Sequence, residues 1–183
     1  QDLEDFTPPA LRPQARSMAP ALFRAARAAG SMVCVRINAL DQEGLIDLQA
    51  VMPHRPDVIA YPKAERALDM AALAEHITRL EHQHGMAQGQ TEILPVCETA
   101  LGVVEVRALA AATPRVRAAL LGTEDLATDL QADWHVADDV MGYVLSAGTF
   151  GMGIGALVIA PFADRFGRKP VIMLALALMS LGM

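Results

Sequence analysis

Short apolar runs alternate with longer amphipathic stretches over the first 130 residues of the chain. Four runs are apolar on successive positions and finish in polar or charged residues: MVCVRIN (32–38), DVIAYPK (57–63), EILPVCET (92–99) and ALLGTEDL (119–126). Runs of this length and composition predict strands that are buried on both faces. A fifth strand is indicated by the segment that ends in DLED at residues 2–5.

Helices are predicted between these strands. In the segment 64–85, Leu73, Ile77 and Leu80 form an apolar stripe and Gly85 supplies a C-cap. An Ala-rich helix is predicted from about Gln14 to Ala29, before Gly30. Strand–helix alternation predicts an α/β fold with a parallel sheet and right-handed crossovers.

Charged side chains follow strand after strand. The strand ends carry Glu4 and Asp5, Arg36, Lys63, Glu98, and Glu124 with Asp125. Each residue alone fits a solvated loop or a helix cap, but parallel strands bring their carboxyl ends to one edge of the sheet, where chemistry concentrates in such folds. Carboxylates without a His or Cys cluster suit a hard cation, and Mg²⁺ is the first candidate.

Composition divides the chain into two parts of different character. The chain has 183 residues, a net charge of −6 and a pI near 5.3, which argues against a nucleic-acid partner. Residues 1–139 hold 12 basic and 20 acidic residues, whereas residues 140–183 hold three basic residues and one acidic residue. Cys34 and Cys97 lie in apolar runs and are expected to be buried core residues.

A membrane-spanning helix is predicted over residues 140–163, a run of 24 residues without a charge. At 1.5 Å per residue it would extend roughly 36 Å, enough for a bilayer core. Gly151 and Gly155 form a GxxxG pair that favours close helix packing. The basic loop 164–170 is expected on the cytoplasmic side, and the apolar run 171–183 is too short to span.

The motifs DLED, VRINALD, YPKAE, CETALGVV and GTEDLATDL, in this order over about residues 2–130, resemble the citrate lyase beta-subunit group of the HpcH/HpaI aldolase family. The resemblance implies a TIM-type barrel that cleaves carbon–carbon bonds in acyl-CoA thioesters such as citryl-CoA or malyl-CoA with Mg²⁺, often as a homo-oligomer. It implies Glu98 and Asp125 as metal ligands and Arg36 as the grip on the substrate carboxylate and carbonyl oxygen. Glu4 and Asp5 would surround the metal and Arg36. Lys63 is expected near substrate or solvent; a Schiff-base role is the less favoured alternative.

The strand count falls short of that family's fold. A TIM barrel has eight strands and about 250 residues, whereas four strands and the tail of another are recognisable here. The chain does not begin with Met and stops inside an apolar run, so both ends look cut. We therefore expect an incomplete barrel that is inactive as it stands.

The segment 134–183 resembles the major facilitator superfamily of transporters, around helix 2, the loop between helices 2 and 3, and the start of helix 3. The resemblance is carried by APFADRFGRK, in which Asp164, Arg165, Gly167, Arg168 and Lys169 match the loop motif. Two positions depart from that motif, with Ala160 in place of Gly and Phe162 in place of Leu. In that family the loop acts in conformational switching, and the preceding VLSAGTFGMGIGAL resembles organic-acid and aromatic-acid symporters.

Two domains are therefore expected: a partial lyase domain over 1–131 and a partial transporter segment over 132–183. The alternatives are a lyase, a transporter fragment and a working fusion of both. A cytoplasmic loop at 164–170 would place residues 1–139 outside the cell, away from CoA substrates, so the chain is interpreted as a chimera of two partial sequences. Residues 140–183 would associate with the lipid bilayer, whereas the lyase part by itself would be cytoplasmic.

Overall fold

The computed structural model describes residues 1–134 and, beyond them, residues 142, 143 and 146. The chain divides into two units, Gln1–Asp133 and Trp134–Met183, and the first is described here. Its helices and strands follow in the order α1 (Arg12–Ala28), β1 (Cys34–Arg36), α2 (Gly44–Val51), β2 (Val58–Tyr61), α3 (Ala67–Gln83), β3 (Glu92–Cys97), α4 (Ala100–Val104), α5 (Val106–Ala111), β4 (Leu120–Leu121) and α6 (Thr123–Trp134). Short 3₁₀ turns occupy Pro9–Leu11 and Met52–His54.

The strands form one parallel sheet in the order β1-β2-β3-β4, which confirms the predicted parallel α/β architecture. The N-terminal segment extends it beyond β1. The amide of Leu3 donates to the carbonyl of Arg36, and the amide of Arg36 donates to the carbonyl of Gln1. The DLED segment therefore lies beside β1, so its acidic residues reach the same edge of the sheet as the ends of the other strands.

One face of the sheet packs against the helices. Val35, Ile59 and Ile93 pair across the sheet in register and are buried together with Leu73 and Ile77 of α3. Residues at the alternate positions point to the opposite face, because side chains alternate along a strand. That alternation places Arg36 and Glu98 on the same side of the sheet, away from the helices.

Cys34 departs from the prediction that both cysteines are buried. It is exposed, whereas Cys97 is buried in the core. Cys34 precedes Val35 and therefore faces away from the helix layer. A short apolar run predicts burial on both faces. In β1, however, Val35 on the helix-covered face is buried, whereas Cys34 on the other face is exposed.

The fourth predicted strand is shorter than expected. β4 contains only Leu120 and Leu121, Gly122 follows it, and α6 begins at Thr123. Glu124 and Asp125 therefore lie in the first turn of a helix instead of at the end of a strand. Carboxylates near a helix N-terminus are favoured by the helix dipole, which explains why the acidic pair begins a helix.

The predicted membrane span over residues 140–163 lies outside the described residues. Among the helices that the structure does describe, none is long and apolar enough to cross a bilayer.

A buried ion pair ties α3 to the amino end of the sheet. Glu81 has no exposed surface, and its carboxylate accepts hydrogen bonds from both terminal nitrogens of Arg115 and from the amides of Gly89 and Thr91. Burial raises the pKa of Glu81, but these donors outweigh burial and hold its pKa below the ordinary value. Arg115 also donates to the carbonyl of Thr91 and to the hydroxyl of Thr78, so the pair joins α3 to the starts of β3 and β4.

We expect Arg115→Met to lower the free energy of unfolding by about 3 kcal/mol, because it leaves the Glu81 carboxylate buried without its counter-charge. Arg117→Met is the matched control. The side chain of Arg117 is 74% exposed and pairs with Glu92 at 3.1 Å, and such surface pairs contribute about 0–1 kcal/mol. Urea unfolding followed by circular dichroism measures the free energy of unfolding of both variants. Equal decreases would show that the buried pair contributes no more to stability than the surface pair.

Candidate functional site

A cleft of about 580 Å³ opens at the carboxyl edge of the sheet. Residues from the N-terminal segment, β1, the turn after β2, the end of β3 and the start of α6 meet there. They are Asp5, Phe6, Arg36, Lys63, Glu98, Leu121, Gly122, Thr123, Glu124 and Asp125. The site residues predicted from the strand ends are therefore brought together, and Glu4, which is buried, joins them through its contact with Arg36.

Arg36 is the hub of this cleft. Its Nε donates to Asp2 Oδ2 at 2.5 Å. Its Nη1 lies 3.2 Å from Glu4 Oε2, 3.4 Å from Glu98 Oε1 and 3.8 Å from Asp5 Oδ2. One guanidinium therefore binds carboxylates from two separate segments.

Glu98 is the most enclosed carboxylate that lines the cleft, with 4% of its surface exposed. Its Oε2 accepts the amide hydrogen of Lys63 at 3.1 Å, and its Oε1 faces Arg36. Gly122 lies directly beneath it, because a Cβ at residue 122 would be 2.3 Å from Glu98 Cγ. Burial, and then the charges of Asp125 and Asp5, raise the pKa of Glu98 against the opposing effects of the Lys63 amide and Arg36.

Asp125 reaches the cleft because α6 is fastened to the element that follows Glu98. Asp129, one helical turn after Asp125, accepts a hydrogen bond from the Ala100 amide at 2.8 Å. Ala100 is the first residue of α4, and Thr99 caps that helix by accepting from the Gly102 amide. This link holds the first turn of α6, with its half-buried Asp125, close enough to Glu98 to raise the pKa of that carboxyl.

Asp2, Phe6 and Gly122 contribute to the cleft although the sequence did not predict them as site residues. Asp2, which holds Arg36 Nε, stands in the DLED motif but was not singled out beside Glu4 and Asp5. Phe6 lies 5.4 Å from the Arg36 guanidinium carbon and is 83% exposed. Gly122 makes room for Glu98. The position of Asp2 beside a strand end was a usable signal, whereas the roles of Phe6 and Gly122 emerge only from packing.

Negative charge exceeds positive charge in the cleft. Four carboxylates line it, those of Asp5, Glu98, Glu124 and Asp125, against the two cations Arg36 and Lys63. Within the described residues there is no group of three or more His, Cys, Asp or Glu side chains placed to hold a metal ion. Mg²⁺ characteristically takes only one or two protein carboxylates and completes its shell with water and substrate oxygens. Glu98 with Asp125 fits that donor set.

The transporter loop motif is not part of this site. Asp164, Arg165, Gly167, Arg168 and Lys169 lie outside the described residues, so their predicted role stays a prediction.

Glu4 has an unusual protonation behaviour. Burial, together with the hydrogen-bonded Asp5 carboxylate, raises its pKa to about 7 despite the nearby charge of Arg36. The folded chain therefore binds a proton at Glu4 that the unfolded chain releases near the ordinary value of 4.5. Stability attributable to this group is complete below pH 4.5 and falls as the pH rises to about 7.

We expect Glu4→Gln to remove that part of the pH dependence. Relative to wild type, the variant should gain about 1–2 kcal/mol of stability between pH 5 and pH 8, since solvent in the open cleft screens part of the full linkage effect. Urea unfolding at several pH values, in the presence of a chelator, measures the difference. A wild-type minus variant difference that does not change with pH would contradict the raised pKa.

Comparison with known proteins finds lyases among the relatives of this chain. The beta subunit of citrate lyase from Haemophilus influenzae is 36% identical over 100 residues, which cover 54% of this chain and 34% of that protein. The L-malyl-CoA/beta-methylmalyl-CoA lyase of Cereibacter sphaeroides is 32% identical over 136 residues, which cover 70% of this chain and 42% of the lyase. The chain spans about a third of the length of the citrate lyase subunits it matches.

Solved structures show the same fold. The citrate lyase beta subunit of M. tuberculosis, complexed with oxaloacetate and magnesium, superposes with a TM-score of 0.52 at 26% identity, covering 70% of this chain and 49% of that one. A citrate lyase from Burkholderia xenovorans superposes with a TM-score of 0.60 at 22% identity, covering 71% of this chain and 41% of that one.

The C-terminal part has a different likeness. The model of the Major Facilitator Superfamily matches residues 125–183. A gallate transporter from Pseudomonas putida is 45% identical over 56 residues, which cover 31% of this chain and 12% of the transporter.

The HpcH/HpaI aldolase/citrate lyase model matches residues 1–147, most of the chain, and its relatives share the sheet that carries the cleft. The chain therefore belongs to the HpcH/HpaI aldolase/citrate lyase family.

Proposed function

We propose that the lyase part of the chain is built for Mg²⁺-dependent carbon–carbon cleavage of an acyl-CoA thioester of the citryl-CoA or malyl-CoA type. One observation carries this proposal: Glu98 is buried beside Asp125, whose charge raises the pKa of the Glu98 carboxyl. A carboxylate whose ionisation is opposed by a neighbouring carboxylate in an open cleft favours a bound cation. The magnesium and oxaloacetate in the M. tuberculosis relative support the same chemical class.

Glu98 and Asp125 would hold the metal ion. A bound Mg²⁺ would supply a Lewis acid for the substrate carbonyl and positive charge for the negative charge that develops there. Arg36 would bind a substrate carboxylate and carbonyl oxygen, because a guanidinium fork fixes a carboxylate in two-point geometry. Asp2 holds the Nε side of that fork.

Glu4 and Asp5 would shape the charge around Arg36. Their carboxylates lie near Nη1, and the pKa of Glu4 is raised to about 7 by burial. A neutral Glu4 leaves more of the guanidinium charge for the substrate than an ionised one would. Lys63 is exposed at the mouth of the cleft, which suits contact with substrate or solvent better than a Schiff base in a desolvated pocket.

We infer that the chain by itself binds metal but does not turn over. The described residues supply four paired strands and the bridging N-terminal segment, whereas a closed TIM barrel has eight strands. Leu120 and Leu121 at the β4 edge are each about half exposed. Within the described residues, the cleft is therefore open to water along the β4 edge.

We expect Asp125→Asn and Glu98→Gln each to weaken Mn²⁺ binding by at least about tenfold, since each removes a charged ligand from a two-carboxylate site. Glu124→Gln is the matched control, because it neutralises the exposed neighbour of Asp125 in the same cleft and should leave binding nearly unchanged. Electron paramagnetic resonance of Mn²⁺ added to the full chain measures free and bound metal. Equal effects of all three substitutions would show that Mn²⁺ binding depends only on the general negative charge of the cleft and not on a specific two-carboxylate site.

The same preparations test turnover with malyl-CoA and citryl-CoA in the presence of Mg²⁺. Metal binding without cleavage is the expected result. Cleavage that Asp125→Asn abolishes would establish the lyase reaction and refute the inference that the chain is inactive. Wild-type chain that binds no Mn²⁺ would instead refute the proposed metal site.

A second candidate function is a fragment of a transporter, supported by the likeness of residues 125–183 to the Major Facilitator Superfamily. In that proposal the chain is a chimera, with a lyase part over 1–131 and a transporter part over 132–183. The two family matches overlap between residues 125 and 147, which brackets the proposed junction. Sequencing one uninterrupted transcript across codons 125–145 tests the join; an intact expressed message would refute an assembly artefact.

We expect the full chain to remain with membranes through alkaline carbonate extraction, because residues 140–163 form an uncharged run long enough to span a bilayer. Introducing charge with Gly151→Arg and Gly155→Arg should shift the chain toward the soluble fraction, since a charged residue at mid-span costs about 3 kcal/mol. Arg165→Ala is the control within the loop and should leave the chain in the membrane. Full release of the wild-type chain would argue against a span.

A further inference from the structure

Lys63 adopts a backbone conformation that lysine rarely takes. Its φ is 44°, and Arg55, with φ of 60°, is the other non-glycine residue of positive φ in the described part of the chain. The left-handed region costs an L-residue with a side chain roughly 1–2 kcal/mol. Strain of this kind persists where the surrounding structure enforces it, and it concentrates at functional sites.

Contacts on the following residue enforce the conformation. The Ala64 amide donates to the carbonyl of Val96 at 3.0 Å, which ties the turn after β2 to the end of β3. The Ala64 carbonyl packs against Gly102 in α4, where a Cβ would come within 2.5 Å of that oxygen. Ala64 itself has no exposed surface. These contacts fix the position of Ala64. The backbone at Lys63 therefore takes a positive φ to connect β2 to Ala64.

The result is an amide aimed at Glu98. The Lys63 N–H donates to Glu98 Oε2 at 3.1 Å, while Arg36 Nη1 lies 3.4 Å from Oε1. Gly122, which has no side chain, leaves room for the Glu98 side chain. Each carboxylate oxygen thus has its own charged or polar neighbour. The Lys63 side chain is exposed and has no ion pair within the described residues.

We propose that Lys63 is a positioning residue that acts through its main-chain amide: its left-handed backbone orients the Glu98 carboxylate for a divalent cation held with Asp125. This inference rests on the proposed metal site and adds to it the element that fixes the first ligand. It assigns the action on Glu98 to the amide and leaves the ammonium group without a part in metal binding.

Glycine and valine separate these two contributions. Lys63→Gly deletes the side chain and adopts positive φ without cost, so the amide stays in place. Lys63→Val also deletes the ammonium group, but a β-branched residue is a pronounced outlier at positive φ and draws the backbone away from this conformation. Arg55→Val imposes the same backbone conflict at a turn that does not line the cleft.

The experiment is a Mn²⁺ titration of the full chain by electron paramagnetic resonance for wild type and these three variants. We expect Lys63→Gly and Arg55→Val to bind as wild type does and Lys63→Val to bind about tenfold more weakly, as for loss of an interaction that orients a ligand. Weakening by Lys63→Gly as large as that by Lys63→Val would assign the effect to the side chain. Unchanged binding by Lys63→Val would overturn the proposal.

A second measurement does not depend on the metal. Hydrogen exchange on the metal-free chain should show a protected Lys63 amide in wild type and a fast-exchanging one in Glu98→Ala. The Ile37 amide, which donates to the Ala60 carbonyl, should stay protected in both and shows that the sheet is intact. If wild type binds no Mn²⁺, the proposed metal site is refuted, but hydrogen exchange still tests whether the Lys63 amide is bonded to Glu98. An unprotected Lys63 amide in wild type would overturn the proposal that this amide orients Glu98.

Discussion

Arg36 is the residue on which the arrangement of this site depends. Its main chain joins the N-terminal segment to β1 through hydrogen bonds on both its amide and its carbonyl. Its guanidinium then faces Asp2, Glu4, Asp5 and Glu98. Without that cation, four carboxylates from two segments would repel one another in a half-buried space. The same positive charge would attract the carboxylate of a substrate, so one side chain serves both the assembly of the cleft and its proposed chemistry.

Glu98 and Asp125 are held in place in different ways. Glu98 is fixed by contacts that leave it little freedom: the Lys63 amide, the Arg36 guanidinium and the bare Cα of Gly122. Asp125 is carried on the first turn of α6, and the link between Asp129 and Ala100 holds that helix. In the proposed metal site, a buried carboxylate would pair with a more accessible one, which suits a cation that keeps part of its shell for water and substrate. Such a cation would compensate the excess of negative charge in the cleft.

Structural stability and the proposed chemistry lie at opposite ends of the sheet. The Glu81–Arg115 pair is fully enclosed at the amino ends of β3 and β4, with hydrogen bonds to every carboxylate oxygen. The cleft at the carboxyl ends is open, and its carboxylates have fewer donors than they can accept. This division agrees with the general rule that parallel α/β sheets place function at the carboxyl ends of their strands.

The sequence by itself determined the parallel α/β fold and the set of charged residues at the sheet edge, because strand–helix alternation and strand polarity together place strand ends side by side. The family followed from the resemblance of five ordered motifs. It did not determine that Glu124 and Asp125 begin a helix, that Cys34 faces away from the helix layer, or that Asp2 holds Arg36. Those outcomes depend on the pleat of β1, on the brevity of β4 and on contacts between distant segments. Only the tertiary structure placed the Lys63 amide on Glu98, since a left-handed backbone at a lysine has no signature in the order of residues and arises from the packing of Ala64 against β3 and Gly102.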